Sequence, residues 1–375
     1  MQYDVIIAGS GPAGASTALH LAQIAPELAK RTLILEKARH PRPKLCGGGM
    51  LQDGEFILQR LGMDVTEVPH VEVKEAHFRF EDRGFFIARQ PASFRVFSRD
   101  LFDQWLADTA GERGVQFIAE TRVRKVAPVD GGMAVETDKG TYTARAVVGA
   151  DGALSVVRRA VPGTRNGHTA RLLEFYVPPE HTSTENQDKG IFDYKVIGKG
   201  VQGYVWDFPM LSNGQLARNR GIFDLRMYDA PQQDLRPILS QAVAQDGLRM
   251  EDYTLHSHPI RWFDPEDSFA APHILLAGDA AGVDPAYGEG ISFALGYGEL
   301  AAHELKAAFT QNDFSFAGYK KRILSSRMGV VLKRRHRLAA TLYGIRNPNI
   351  QRLIWWRLNF LLEWYVSHFM IDWAR

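Results

Sequence analysis

Hydrophobic positions along this 375-residue chain change rhythm three times. From Asp4 to Ala8 the residues are almost all apolar, a glycine-rich turn follows, helical spacing takes over, and a second apolar run, Thr32-Leu-Ile-Leu-Glu36, closes the unit. The pattern predicts a β-α-β unit over residues 3–36. A helix is expected over Arg99–Gly114, with Leu101, Phe102, Trp105, Leu106 and Thr109 on one side. Strands are expected at 115–118, 122–127, 132–137 and 145–151. Residues 171–262 then alternate in strand fashion, as in Leu172–Val177 and Gln202–Trp206. There a period of two puts Tyr204 and Trp206 on one face, and Pro209 should end the strand. Another apolar strand, His273–Ala277, precedes a region that is mostly helical from residue 286 onward.

Two turns carry the candidate chemistry. Gly9-x-Gly11-x-x-Gly14 follows the first strand and opens a helix, so that backbone amides and the helix N-terminus can face a pyrophosphate. Glu36 ends the second strand 22 residues after Gly14, the offset of an acid that binds an adenine-side ribose 2'-hydroxyl. An acid there disfavours a 2'-phosphate, which points to FAD or NAD rather than NADP. The alternative is a tight strand-to-helix turn with no ligand. The second turn, Gly278-Asp279-Ala-Ala-Gly through Gly288-Glu-Gly290, starts 264 residues after Gly14. It too ends a strand and opens a helix, and two such turns favour FAD, with the second helix aimed at the flavin ring.

Length implies two or three domains. The composition is globular, with 45% hydrophobic and 23% charged residues. One cysteine, Cys46, excludes an internal disulfide framework and a cysteine metal cluster, and favours the cytosol. No signal peptide is expected, because Met1-Gln2-Tyr3 leads straight into the first strand. No apolar run reaches the ~20 residues that span a bilayer. His256, His258 and His273 lack metal-ligand spacing, and His256 and His258 are expected to be a structural pair on one strand face; no metal is expected. The net charge of +2 hides an asymmetry, since residues 318–375 hold twelve Lys/Arg against two Asp/Glu and four of the seven tryptophans. Such a tail suits either a packed helical cap or peripheral contact with anionic lipid at the inner membrane face, with Arg334, Arg335 and Arg337 at the headgroups and Trp355 and Trp356 at the interface. No nucleic-acid module surrounds the basic residues.

Further motifs narrow the family. Gly149-Ala-Asp-Gly-Ala-Leu-Ser155-Val-Val-Arg158 resembles the Asp-Gly motif of the p-hydroxybenzoate hydroxylase superfamily. Pro43-Lys-Leu-Cys46-Gly-Gly-Gly49 and Gly203-Tyr-Val-Trp206-Asp-Phe-Pro209 are similar to those of its geranylgeranyl reductase branch, FAD enzymes that saturate prenyl double bonds. The resemblance covers roughly residues 1–310, and Met210-Leu-Ser-Asn-Gly departs from it. It implies a discontinuous Rossmann-like FAD domain (1–170 with 268–310, of which 51–97 partly visits the substrate domain). It also implies an inserted antiparallel β-sheet substrate domain (171–267) and a C-terminal helical region (311–375).

By the same resemblance, Gly9, Gly11, Ala13 and Gly14 hold the pyrophosphate and Glu36 the adenosine ribose. Arg99 reaches the ribityl-phosphate region, the Val123 backbone the adenine, and Asp279 the ribityl chain. Gly288, Gly290 and Ile291 offer amides to the flavin N1/O2 edge, where they favour the reduced ring. Pro12, Lys37, Cys46, Gly47, Asp151 and Pro285 complete the expected cofactor wall. Cys46, Tyr204 and Trp206 are the catalytic candidates: Cys46 lies against the flavin ring, Tyr204 and Trp206 line the substrate cavity, and Cys46 or Tyr204 could donate a proton. The expected reaction is hydride transfer from FAD, reduced by NAD(P)H or another external donor, to a hydrophobic or lipid alkene, followed by protonation. The alternatives are an aromatic hydroxylase, then a halogenase, for which no lysine between flavin and substrate is evident, or a flavin-binding protein without turnover.

Overall fold

A computed structural model describes residues 1–164, 167–182, 186–229 and 231–375. The apolar runs at the ends of the sequence pattern meet in one sheet. In order across it lie Ala270–Ala271, Ile274–Leu276, Thr141–Gly149, Tyr3–Ala8, Thr32–Leu35 and Gln116–Ile118. The Ile274–Leu276, Thr141–Gly149, Tyr3–Ala8, Thr32–Leu35 and Gln116–Ile118 strands are mutually parallel. Val5 to Ala8 and Thr32 to Leu35 are buried throughout, which explains why these strands read as continuous apolar runs rather than alternations. An antiparallel arm, Gly132–Thr137 with Val123–Val129, extends from Thr141–Gly149.

A second sheet of seven strands holds the alternating segments. Its order is His256–Arg261, Thr169–Val177, Gln215–Asp224, Gly203–Ser212, Lys189–Asp193, Glu75–Phe80 and Arg83–Ala88. It is antiparallel except where Lys189–Asp193 runs parallel to Glu75–Phe80, a strand contributed from far earlier in the chain. Gly203–Ser212 does not stop at Pro209, contrary to the sequence expectation. Pairing with Lys189–Asp193 ends at Asp207, so proline sits where one edge no longer asks for an N–H, while Pro209 still registers with Arg218 on the other side. A small antiparallel sheet pairs Phe94–Phe97 with Gly49–Leu51 on one side and His70–Val73 on the other.

The helix Arg99–Glu112 turns Phe102, Asp103, Leu106 and Ala110 inward, whereas Leu101 is exposed and so leaves the face assigned to it. Two helices meet beneath the first sheet's strand ends: Pro12–Ile24, from the first glycine turn, and Ile291–Gln311, from the second. Ser16 Oγ donates to the Leu295 carbonyl at 2.7 Å. At Gly298 an added Cβ would lie 2.5 Å from Ser16, so glycine is what allows the helices this approach. Beyond residue 318 the helix Tyr319–Ser325 stays on the first sheet, its Tyr319 hydroxyl donating to the Leu276 carbonyl at 3.1 Å, while Arg327–Gly344 leads the chain on to Asn359–Phe369 and the second sheet, burying Trp355 against Phe80 and Tyr194. Among the described residues no helix is long and apolar enough to cross a membrane.

Candidate active site

Both glycine turns open onto one elongated cavity of about 630 Å³. The first turn depends on Gly9, whose φ of +98° and whose absent Cβ, which would sit 2.5 Å from the Ala150 carbonyl, let the chain pass under the Ala150–Asp151 loop. Gly11 precedes Pro12 at the first helical position, so the unbonded amides of that helix end point at the cavity. Gly9, Gly11, Pro12 and Ala13 line it together with Glu36, Lys37, Val123 and Asp151. From the second turn come Asp279, Gly288, Gly290 and Ile291, and from the intervening chain Cys46 and Arg99.

Charges are arranged along this wall. Glu36 accepts from the Ser10 amide (3.0 Å), the Ser10 hydroxyl (2.9 Å) and the Ala38 amide (3.1 Å). Burial opposes its ionisation, but Arg42 and these hydrogen bonds outweigh burial and hold its carboxyl below the ordinary value. Arg42 bridges Glu36 (3.6 Å) to Asp103 (3.2 Å), and Asp103 in turn accepts from Arg99 Nε at 2.8 Å and Nη2 at 3.0 Å. Asp279 has none of these attachments. Among the described residues it makes no hydrogen bond, and burial pushes its carboxyl up against the opposing pull of Lys44 and Arg99. A strand-end carboxylate with free acceptors, glycine turns a Cβ would fill, and two helix N-termini facing one elongated cavity fit FAD. Gly9, Gly11 and Ala13 would hold its pyrophosphate, Glu36 its adenosine ribose, Asp279 its ribityl chain, and Gly288 and Gly290 its ring edge.

A second cavity of about 130 Å³ shares Cys46, His258, Ile260, Gly288 and Gly290 with the first. Its walls are aromatic: Phe78 stacks on Phe192 at 4.8 Å between ring centres, and Phe94 meets Phe208 edge-on at 5.3 Å. Tyr204, Trp206 and Phe208 project into it from one face of their strand, as a period of two requires. Gly221, opposite Trp206, makes room for the indole, since a Cβ there would lie 2.3 Å from the ring. The indole N–H donates to Asn219 Oδ1 at 2.6 Å, and Asn219 Nδ2 donates to the Cys46 carbonyl at 3.3 Å. The Tyr204 hydroxyl donates to the Tyr287 carbonyl. The seven-stranded sheet is thereby fastened to both the Cys46 loop and the Gly288 turn.

Most residues singled out from sequence converge on these two cavities, including Gly47 on the aromatic side. Gly14 and Pro285 line neither: Gly14 packs its helix against the Gly9 backbone, and Pro285 is buried behind the turn. Asp151 reaches the wall with its carboxylate already committed to Ser155 Oγ (2.5 Å) and the Val156 amide (2.6 Å). Tyr204 and Trp206 both have their polar hydrogens engaged, so they serve as wall and fastening. His256 and His258 separate in role, because only His258 reaches the cavities. Sequence reasoning passed over Arg42, Lys44, Asn219 and Glu289. Glu289 stood in the Gly-Glu-Gly turn in plain view, and Arg42 and Lys44 flanked the Cys46 motif; Asn219 carried no local signal.

A family model described as an FAD binding domain matches residues 2–310. The chain is 29% identical over 336 residues to a menaquinone reductase of Mycolicibacterium smegmatis, covering 84% of this chain and 78% of that one. It is 27% identical over 319 residues to a geranylgeranyl diphosphate reductase of Rhodobacter capsulatus, covering 82% and 76%. Among solved structures, a geranylgeranyl bacteriochlorophyll reductase-like protein of Thermoplasma acidophilum superposes with a TM-score of 0.79 at 24% identity, over 94% of this chain and 90% of that one. The halogenase PltM shares the fold at a TM-score of 0.71 and 17% identity, over 99% and 82%. With the matching domain spanning both halves of the cavity that fits the cofactor, the chain belongs to the FAD-binding-domain family and is a geranylgeranyl reductase-like FAD-dependent oxidoreductase.

Proposed function

We propose that the protein reduces carbon–carbon double bonds of a prenyl or similarly hydrophobic substrate. The observation that carries this reading is the aromatic cavity that joins the cofactor cavity at Cys46 and the Gly288–Gly290 turn. Phe78, Phe94, Phe192 and Phe208 offer an isoprenoid chain apolar contact and little to hydrogen-bond. Bound FAD, once reduced by an external donor such as NAD(P)H, would supply the hydride equivalent there. The chain's own residues exclude water, hold the alkene against the ring edge and, through the Gly288 and Gly290 amides, favour negative charge at that edge. The reductase names of the relatives agree with this chemistry.

An aromatic hydroxylase is the second reading, favoured by the shared fold. A halogenase is disfavoured, because among the described residues no lysine lines the aromatic cavity and Lys44 lies on the cofactor side.

Delivery of such a substrate points to a bilayer. The C-terminal helix Asn359–Phe369 turns Val366 toward the aromatic cavity and leaves Phe360 (59% exposed), Leu361 and Trp364 (53%) outside, beside exposed Leu353, Leu358 and Arg357. This differs from the expectation that Arg334, Arg335 and Arg337 meet the headgroups beside interfacial Trp355 and Trp356, of which Arg337 alone is exposed. Arg335 and Trp355 are 1% exposed, and Trp356 is half-buried under Arg83 and Arg352. In the proposed docking mode the exposed apolar residues enter the interface and Arg337, Arg346 and Arg357 meet anionic headgroups, each worth about 1 kcal/mol.

Anaerobic single turnover tests the reading. The photoreduced holoenzyme should be reoxidised by a geranylgeranyl substrate without oxygen. A flavin hydroperoxide formed with oxygen and an aromatic substrate, without any prenyl-dependent reoxidation, would overturn it in favour of the hydroxylase.

A further inference from the structure

Saturating an alkene needs a proton at the carbon that does not receive the hydride equivalent, so the identity of the proton donor rests on the proposed function. The groups lining the aromatic cavity narrow the source. Tyr204 has its hydroxyl hydrogen on the Tyr287 carbonyl. Burial, then Lys44 and Arg99, push the His258 imidazole down to about 3, so at neutral pH it carries no second proton. Asp53 accepts from the Ala374 amide (2.7 Å) and the Asp372 amide (3.1 Å), tying down the end of the chain. Glu289 differs from all three, and from Cys46, whose sulfur accepts from the Gly48 amide at 3.4 Å. Its Oε1 accepts from the Ser292 amide at 2.8 Å, capping the helix that begins at Ile291. Its Oε2 is buried without a hydrogen-bond partner, on a residue that lines the aromatic cavity between the two glycines of the ring-edge turn.

We propose that Glu289, in its neutral form, is the acid that protonates the substrate alkene. The hydride equivalent forms one C–H bond; the Glu289 O–H bond breaks, its proton forms the second C–H bond, and the carboxylate left behind takes a proton from water. The two electrons come from the flavin, which the external donor reduces again. The surroundings favour the neutral acid at rest. Burial is the largest influence; the Ser292 amide and Arg335 oppose it, Asp284 reinforces it, and the carboxyl is pushed up to about 7. Arg335 comes from the helix Arg327–Gly344 and is itself paired with Asp284, which limits its pull. Asp53, Arg89 and Asp372 are the other charged residues on the cavity wall, and Arg89 pairs with Asp372 at 2.7 Å.

The test follows prenyl-dependent reoxidation of the anaerobically reduced holoenzyme against pH. In the wild type the rate should fall as pH rises through about 7, and this limb should persist in Glu174→Gln, which removes the other buried carboxyl pushed up to about 7. Glu289→Gln should keep its flavin absorbance and its reduction by dithionite, yet slow reoxidation by about 10²–10⁴-fold and lose the limb. An infrared pH titration supplies a readout apart from turnover: a protonated-carboxyl stretch that titrates near 7 in Glu174→Gln should vanish in the double variant with Glu289→Gln. The inference is overturned if the wild-type rate is flat or rises across this range, or if Glu289→Gln reoxidises at the wild-type rate. Failure of the wild type to be reoxidised by any prenyl substrate would instead remove the proposed function beneath it.

Discussion

Arg335 Nη1 lies 2.5 Å from Asp284 Oδ2 with both side chains sealed from solvent. The same guanidinium donates to the Met370 carbonyl through Nε (3.2 Å) and Nη2 (2.6 Å), and it sits over the rings of Tyr287 and Phe293. One cation thus joins the ring-edge turn, the start of the helix after it, and the end of the chain. Arg335→Met leaves Asp284 buried and uncompensated, and should cost about 3–5 kcal/mol in urea unfolding of the holoenzyme. Adding Asp284→Asn should recover a large part of that loss, because the stranded charge is gone.

Asp279 lines the larger cavity with a carboxylate that would be free to accept from the ribityl chain of bound FAD. Asp279→Ala should purify folded, by circular dichroism, but largely colourless. A full, tightly bound flavin absorbance in this variant would reject the assignment.

Glu174 is fully buried beside Asn219 and the Cys46 loop, and burial pushes its carboxyl from 4.5 up to about 7 against hydrogen bonds from Asn219 and Cys46 and the charge of Lys44. The folded state therefore holds this proton more tightly than the unfolded state. The stabilisation is complete below about 4.5 and is lost as pH rises through about 7, by roughly 3 kcal/mol. Denaturant melts across that window should show the wild type losing more stability with rising pH than Glu174→Gln. Parallel curves would show that Glu174 ionises normally.

Trp206 fastens the Cys46 loop through Asn219. Trp206→Phe keeps the aromatic wall but strands the Asn219 oxygen, at about 1–3 kcal/mol. Turnover should fall several-fold while flavin content stays near one per chain. Loss of flavin together with folding would mark Trp206 as a core residue only.

Membrane docking can be read by co-sedimentation with phosphatidylserine vesicles at low salt. Binding should weaken as salt rises and drop sharply in Phe360→Ser/Trp364→Ser. Protein left wholly in the supernatant at low salt would end the docking proposal.

The wall of the larger cavity was legible because its pattern is local: a strand, a glycine turn and an acid at fixed spacing, from Gly9 to Glu36. The aromatic wall was half legible. A period of two aligned Tyr204 with Trp206, but nothing near Phe78 or Phe192 announced that a strand from residues 75–80 would lie beside one from 189–193. Pro209 misled because its effect depends on whether an edge is paired, a property of neighbouring strands. The tail misled for a related reason. A list of tryptophans and arginines cannot say which side of a helix faces inward, and the outward side belongs to Phe360, Leu361 and Trp364. Buried ion pairs such as Arg335 with Asp284 join residues 51 positions apart and leave no local trace.

The contact of Ser16 with Leu295 and Gly298 joins helices from opposite ends of the translation order, which bears on when a cofactor could be held during synthesis. The pyrophosphate turn leaves the ribosome almost at once, but the turn that would receive the flavin ring is translated only after the whole substrate-side sheet. At about 5–20 residues per second this interval lasts on the order of tens of seconds. Until Ile291–Gln311 emerges, the first helix has no partner to close against, and the nascent chain offers FAD only half a grip. Loading with flavin would therefore be a late event, and a ribosome stalled within the inserted sheet should display a chain without colour.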